Sequence, residues 1–192
     1  MCNFSIQKNE SISFRHQGYF DIILGWDGIW KGKYVDDIDL CVFYKTKAGE
    51  TGGIYDNTYN HKKNTEGSLM EFPFIFLMGE ERPNYKYNDE EIIRIANIQE
   101  MEEVYIVAID YNAAIEDETG FDIPVTLETT DTKPTVSILY SRTKDAYGAI
   151  LLLATLKESG NSSVVITNKS KQMSLSDAYS EIPGFDSIVT QD

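Results

Sequence analysis

Hydrophobic and polar residues alternate along most of this chain. Val35 to Tyr44 (VDDIDLCVFY) is the clearest stretch. Ile38, Leu40, Val42 and Tyr44 fall on one face, and Asp37, Asp39, Cys41 and Phe43 on the other. That is the period-two pattern of a strand. Tyr19 to Trp26 reads as a strong strand ending in Gly25-Trp26-Asp27. Phe4–Gln7 and Ser11–Phe14 predict a short hairpin pair around Lys8-Asn9-Glu10, and Ile54 to Asn57 a brief strand. Leu69 to Met78 is apolar and aromatic, but Pro73 has no amide hydrogen to give a ladder, which makes the segment an edge strand or an extended packed segment.

Further along, Ile92–Ala96 predicts a short strand and Val104–Tyr111 an interior one. Ile123–Thr129 and Thr135–Tyr140 form a hairpin that turns at Asp131 to Pro134. Ala149–Leu156 pairs with Asn161–Thr167 across Glu158-Ser159-Gly160. One helix is predicted, Leu175 to Ile182. Ser174 and Asp177 have capping-box spacing at its start, and Pro183-Gly184 stops it. Roughly ten strands at short spacing with one late helix predict an all-β fold. The expected architecture is a β-sandwich of two mainly antiparallel sheets with one short C-terminal helix, residues 1–192 forming a single domain.

Charge narrows the function classes. The formal net charge is −14, which disfavours nucleic acid, because phosphate contacts need clustered Lys and Arg. It suits a cation or a partner with a basic face. Two cysteines, Cys2 and Cys41, make no disulfide framework. With no signal-peptide pattern at the N-terminus, the expected compartment is a reducing cytoplasm. The longest apolar run, Ala149 to Ala154, is too short to span a bilayer, so no transmembrane segment is expected. His16 and His61 have no second His or Cys at zinc spacing. Neither a nucleophile elbow nor a phosphate-binding glycine loop occurs, so no enzymatic activity is expected.

The acids are unevenly placed. Side chains two apart on a strand point the same way, so Asp37 and Asp39 aim two carboxylates at one point at the mouth of the sheet. Like charges that close repel unless a cation lies between them, and Ca²⁺ takes six to eight oxygen ligands. A second acidic stretch, Gly79 to Glu91 (GEERPNYKYNDEE), also immediately precedes a strand. If the two strand ends meet, the loop's Glu80, Glu81, Asn88, Asp89, Glu90 and Glu91 complete an oxygen cage around the pair. The other reading is a solvated acidic loop that keeps the protein in solution. Spacing leaves both open.

Motif order resembles the TerD (tellurium-resistance) family over nearly the whole length. Phe4 to Ile12 resembles the family's opening strand, lysine-containing turn and second strand. Leu24-Gly25-Trp26-Asp27 resembles its LGWD, and Asp37-Ile38-Asp39-Leu40 its DLDL. Ile54-Tyr55-Asp56-Asn57 and Gly67-Ser68-Leu69 resemble its FYNN and GSV. Asn88-Asp89-Glu90-Glu91-Ile92 resembles its DDE-x-I, and Phe121 the Phe after the next strand. Where the family reads GDN-x-TG, this chain has Gly79-Glu80-Glu81-Arg82-Pro83-Asn84, and the late Tyr-Arg and Trp-Lys-Phe signature is missing.

The resemblance implies a cytoplasmic, non-enzymatic Ca²⁺-binding β-sandwich, linked to tellurite resistance and wider stress or phage defence. It also implies a protein partner, in this family often membrane-associated. The implied ligands are Asp37, Asp39, Glu80, Glu81, Asn88, Asp89 and Glu90, with Asp27 in reserve and the Trp26 indole packed beside them. Arg82 and Lys86 bring positive charge into the loop, so weakened or lost calcium binding is expected relative to members that keep the motif. The alternative is a metal-free interaction module that docks a partner through the aromatic segment 69–78. A glycosidase using paired carboxylates ranks third.

Overall fold

The architecture turns on one long strand. In the computed structural model, which describes residues 3–27, 29–30, 33–34, 38–56, 65–79, 89–110, 121 and 123–188 (backbone alone at 29–30 and 33–34), β2 runs unbroken from Ser11 to Trp26. Its even-numbered positions keep one face throughout. Phe14, Phe20, Ile22, Leu24 and Trp26 are buried in the main core and Ile12 packs against it. His16 lies against the Phe20 ring at 4.9 Å between centroids. Gly18, at φ +82, takes a backbone conformation that side chains disfavour. Sixteen residues of strand span roughly 50 Å, enough for one edge to serve two neighbours in succession.

Those neighbours divide the fold. The strands in chain order are β1 (Asn3–Ser5), β2, β3 (Ile29–Trp30), β4 (Lys33–Tyr34), β5 (Ile38–Thr46), β6 (Thr51–Ile54), β7 (Gly67–Ser68) and β8 (Ile75–Gly79). They continue with β9 (Asp89–Ile95), β10 (Met101–Asp110), β11 (Val125–Lys133), β12 (Thr135–Tyr140), β13 (Ile150–Gly160) and β14 (Ser163–Met173). On one edge β2 pairs with β11. On the other, Ser11–Arg15 pair with β14 and Phe20–Trp26 with β9. From β14 the sheet continues through β13, β10 and β5 to β6; from β9 it continues to β8 and β7. Among the described residues this makes one branched twelve-stranded sheet, with β3 and β4 as a separate hairpin. The hydrogen-bond ladder is thus continuous through β2.

Both branches contribute to one apolar cluster. Ile22, Leu24, Leu77 and Ile93 from the β2–β9–β8 branch share it with Leu40, Val42, Ile106, Ala108, Leu151 and Leu153 from the other. The face predicted for Ile38, Leu40, Val42 and Tyr44 is the one that lies in this core. The opposite face of β5, β10 and β13 is buried too, by the C-terminal segment. Helix α1 (Leu175–Glu181) and the 3-10 turn Phe185–Ser187 lay Ala178, Ile182 and Phe185 over Cys41, Phe43, Val107, Ile109 and Ile150. The Phe43 and Phe185 rings sit 5.0 Å apart, and the Tyr55 hydroxyl donates to the Ser187 carbonyl. Ser174 caps α1, its hydroxyl accepting from the Asp177 amide, as the capping-box spacing predicts. The chain then turns at Gly184 (φ +87), where a Cβ would lie 2.4 Å from the Gly52 carbonyl oxygen.

Two expected local arrangements differ. Phe4–Gln7 and Ser11–Phe14 do not pair with each other. The turn between them forms, with the Glu10 amide donating to the Gln7 carbonyl, but β1 joins β12 in parallel and Ser11–Arg15 join β14. Local turn chemistry fixes the bend but not the strand partners. Leu69–Met78 is also neither a single edge strand nor extended throughout. A turn carrying Pro73 ends before Ile75, and β8 is then flanked by β9 and by the two-residue β7.

Candidate functional site

Several strand ends at one end of the fold carry acids. β2 runs out at Trp26-Asp27, and β9 starts beside it with Asp89 opposite Trp26, Glu90 opposite Gly25 and Glu91 opposite Leu24. β5 begins beside the end of β10, with Asp39 opposite Ile109 and Ile38 opposite Asp110. Asp56 follows β6. Antiparallel pairing produces this layout, because it sets the end of one strand against the start of its neighbour.

Glu91 ties the two branches together. β6 covers β5 only from Val42 to Lys45, so the edge of β5 near its start has no strand on that side among the described residues. There the Glu91 carboxylate, from β9, accepts the Leu40 backbone N–H. A carboxylate on an otherwise uncovered amide is a charge-assisted bond, stronger than a neutral pair.

Cys41 reports how closely the acids gather. Its thiol is fully buried under the C-terminal segment. Burial pushes its pKa well up, and Asp39, Glu91 and Asp56, in that order, push it further. Carboxylates from β5, from β9 and from the segment after β6 therefore all act on one point. Both effects disfavour the thiolate, the form that acts as nucleophile or metal ligand.

Of the residues expected to bind calcium, Asp37, Glu80, Glu81 and Asn88 lie outside the described residues, as do Arg82 and Lys86. Asp39 and Asp89 are half-buried at the starts of their strands, and Asp27 is exposed at the end of β2. Glu90 is buried, but strand alternation puts it on the face opposite Asp89 and Glu91. Trp26 is buried in the main core, opposite Asp89, and its indole N–H finds no acceptor among the described residues. No three His, Cys, Asp or Glu side chains among the described residues stand together as a metal-binding group. The donor set is nonetheless hard oxygen, the chemistry that Ca²⁺ takes.

Two members of the acidic group were not among the named ligands: Glu91, which the expected acidic loop does contain, and Asp56. Glu91 was legible. The argument that puts Asp37 and Asp39 on one face puts Asp89 and Glu91 on one face, with Glu90 on the other. Asp56 was not, because only the path of the chain after β6 brings it toward Cys41.

Two cavities open away from these acids. One, of about 360 Å³, lies among Thr46, Lys47, Glu50, Phe72 and Gln99. The other, of about 470 Å³, lies between the N-terminal strand, the segment after β12 and the end of β14. In the aromatic segment, Phe72 is 42% exposed with its ring edge on Tyr44, and Met70 is 88% exposed. Ile75 and Leu77 are buried, while Phe74 and Phe76 are half-buried.

The described residues define a strand-dominated protein with one short helix and carboxylates at several strand ends. No helix among the described residues is long and apolar enough to cross a membrane. No family model matches the chain, and no curated protein matches it. A solved structure described as that of a protein of unknown function, SAV2460, shares the fold, with a TM-score of 0.50 at 9% identity over 82% of this chain and 94% of that one.

Proposed function

We propose that this chain is a calcium-binding β-protein that works by binding rather than by catalysis, in the manner of the tellurium-resistance family its motifs resemble. The observation that carries the reading is the antiparallel layout that sets Asp39 at the start of β5 and Asp89 and Glu91 at the start of β9, with Glu91 reaching across to the Leu40 N–H of β5. It brings acids from separate parts of the chain to neighbouring strand ends. Asp39 and Asp89 hold the ion, with Asp37, Glu80, Glu81 and Asn88 as the further oxygens that the sequence supplies, and Glu90 as the remaining candidate. Bound Ca²⁺ supplies positive charge, which offsets the mutual repulsion of these acids. The branched sheet is read as a two-layer sandwich, because its two branches share one core cluster. The role is a cytoplasmic stress-response module with a protein partner.

Calorimetry and thermal melts with Ca²⁺ test this. Calcium at a hundred times its Kd stabilises a protein by about 2.7 kcal/mol. At about 2–4 °C per kcal/mol for a chain of this size, that raises the Tm by roughly 5–11 °C. Asp39→Asn removes most of the increment. No heat of binding and no shift in the wild type would refute the proposal. A metal-free module docking through residues 69–78 would then be favoured, since Met70 and Phe72 already stand exposed there.

A further inference from the structure

The turn that carries Pro73 turns apolar side chains toward solvent and holds them there. Met70 and Phe72 are exposed, while Pro73, between Phe72 and Phe74, is buried. The Ser68 hydroxyl accepts from the Met70 and Glu71 amides, both at 3.2 Å, and the Phe74 amide donates to the Glu71 carbonyl at 2.8 Å. Phe74 sits at φ +60, in the left-handed region that a bulky side chain disfavours. Backbone of that kind persists only where its surroundings over-determine it, and it gathers at binding sites. The Phe72 ring has its edge on Tyr44, at 5.6 Å between centroids, and lies 6.5 Å from the Phe74 ring.

Phe72 is also one wall of the cavity of about 360 Å³. The other walls are Thr46, Lys47, Ala48 and Glu50 from the β5–β6 turn, and Gln99 and Glu100 just before β10. These turns are braced by their own hydrogen bonds. The Thr46 amide donates to the Glu50 carbonyl at 2.8 Å, and the Glu50 amide donates to the Thr46 hydroxyl at 3.0 Å. The Lys47 amide donates to the Glu100 carbonyl at 2.9 Å, and the Gln99 amide to the Asn97 side-chain oxygen at 2.7 Å. Walls fixed in this way spare a ligand the cost of ordering them. The volume lies at the small end of binding pockets and suits one large side chain.

The charge around this groove is one-sided. Glu50 and Glu100 line it, and Glu71 stands next to Phe72 in the turn. None of these three carboxylates forms an ion pair among the described residues, whereas Glu102, Glu103, Glu158 and Glu181 each meet a lysine. The one base in the lining, Lys47, is already engaged. Its ammonium donates to the Gln99 carbonyl at 2.6 Å and stands 3.8 Å from the Glu158 carboxylate. Burial raises the pKa of the Tyr44 hydroxyl, and Glu50 raises it further, which places Glu50 near the ring that Phe72 packs on. An apolar anchor point edged by uncompensated carboxylates is the complement of a basic segment that carries a large apolar side chain. The net charge of −14 steers such a segment toward this protein and repels an anionic lipid surface.

We propose that this groove docks a basic peptide segment of a partner protein, which seats one aromatic or large aliphatic side chain against Phe72. This docking rests on the reading that the chain works through a protein partner. It needs no calcium, so it is measured in a chelator, apart from the calcium titration. The probe is the synthetic peptide Lys-Lys-Trp-Leu-Lys-Lys, compared with Lys-Lys-Ala-Ala-Lys-Lys and Glu-Glu-Trp-Leu-Glu-Glu by calorimetry and by amide chemical shifts of the full chain. The first peptide is expected to bind and to shift amides in Ser68–Phe74 and Thr46–Glu50. Phe72→Ala with Met70→Ala is expected to weaken it by at least about tenfold, as loss of an aromatic anchor does. Glu50→Gln with Glu100→Gln weakens it too and lowers its dependence on salt. All of these side chains are exposed, so the fold does not rest on them. Four results would each overturn the assignment: no binding of the first peptide, equal binding of the alanine peptide, tighter binding of the acidic one, or affinity unchanged in Phe72→Ala with Met70→Ala. Flotation with phosphatidylcholine vesicles, or self-association in sedimentation, that is lost in Phe72→Ala would also overturn it, and would give the turn to a lipid surface or to a second copy of the chain.

Discussion

The contact between Glu91 and Leu40 gives the sharpest test of how the two branches of the sheet are joined. Glu91→Ala removes the only acceptor for the Leu40 N–H among the described residues, at the uncovered edge of β5. Leu40 itself is buried, so water cannot fully replace the lost bond. A hydrogen bond to a charged acceptor is worth about 1.5–3 kcal/mol. With about 2–4 °C of Tm per kcal/mol for a chain of this size, Glu91→Ala lowers the Tm by roughly 3–12 °C. Glu91→Gln is different in kind. It keeps an oxygen that can accept, while removing one of three carboxylates that crowd the Cys41 thiol. The weaker bond and the relieved repulsion oppose each other, so Glu91→Gln stays within about 1 kcal/mol of wild type. Thermal and urea melts at pH 7 in a chelator measure both variants, so that no divalent ion contributes. Amide hydrogen exchange at Leu40 adds a local reading, faster in Glu91→Ala and nearly unchanged in Glu91→Gln. Equal losses in both variants would mean that the charge, not the acceptor, matters. No loss in Glu91→Ala would mean that the contact does not join the branches.

Two further predictions concern the covered face of β5. Phe185→Ala opens the seal over Phe43 and Cys41, costs about 3–5 kcal/mol, and in a Cys2→Ser background speeds labelling of Cys41 by a thiol reagent; an unchanged labelling rate would show that the C-terminal segment does not shield the thiol. The raised pKa of Cys41 makes stability fall in alkali. The unfolded thiol loses its proton near pH 8.5 while the folded one keeps it, so the stabilisation is complete below that pH and is lost as pH rises toward the folded value. Between about pH 8.5 and 10, below the range of Tyr and Lys, the slope reaches about 1.4 kcal/mol per pH unit. Cys41→Ala, compared by urea melts across that window, removes this part of the slope; equal slopes would refute it.

Much of the fold follows from local pattern alone. The strands, the late helix and its Ser174 cap, and the core face of Ile38, Leu40, Val42 and Tyr44 rest on period two, period 3.6 and side-chain capping. These are properties of neighbouring residues and need no knowledge of partners. Even the length of β2 was open to reading, since Ile12, Phe14, His16, Phe20, Ile22, Leu24 and Trp26 all share even parity. The polar Arg15-His16-Gln17-Gly18 interrupts the apolar run but not the alternation. The placing of Glu91 beside Asp89, with Glu90 turned away, follows from the same rule.

Partnership is another matter. Nothing in Asn3–Ser5 distinguishes β12 from Ser11–Phe14 as its neighbour, because backbone hydrogen bonds carry no sequence label and all three residues are exposed. For the same reason only the tertiary structure decided that β2 serves β14 and β9 in turn, joining both branches into one sheet. It also decided that α1 and Phe185 cover the Cys41 face. The sequence places Asp39, Asp56 and Glu91 far apart along the chain and says only that each is acidic. Their common action on one buried thiol arises where three strands happen to start and stop, and Coulomb interactions depend on that distance in space.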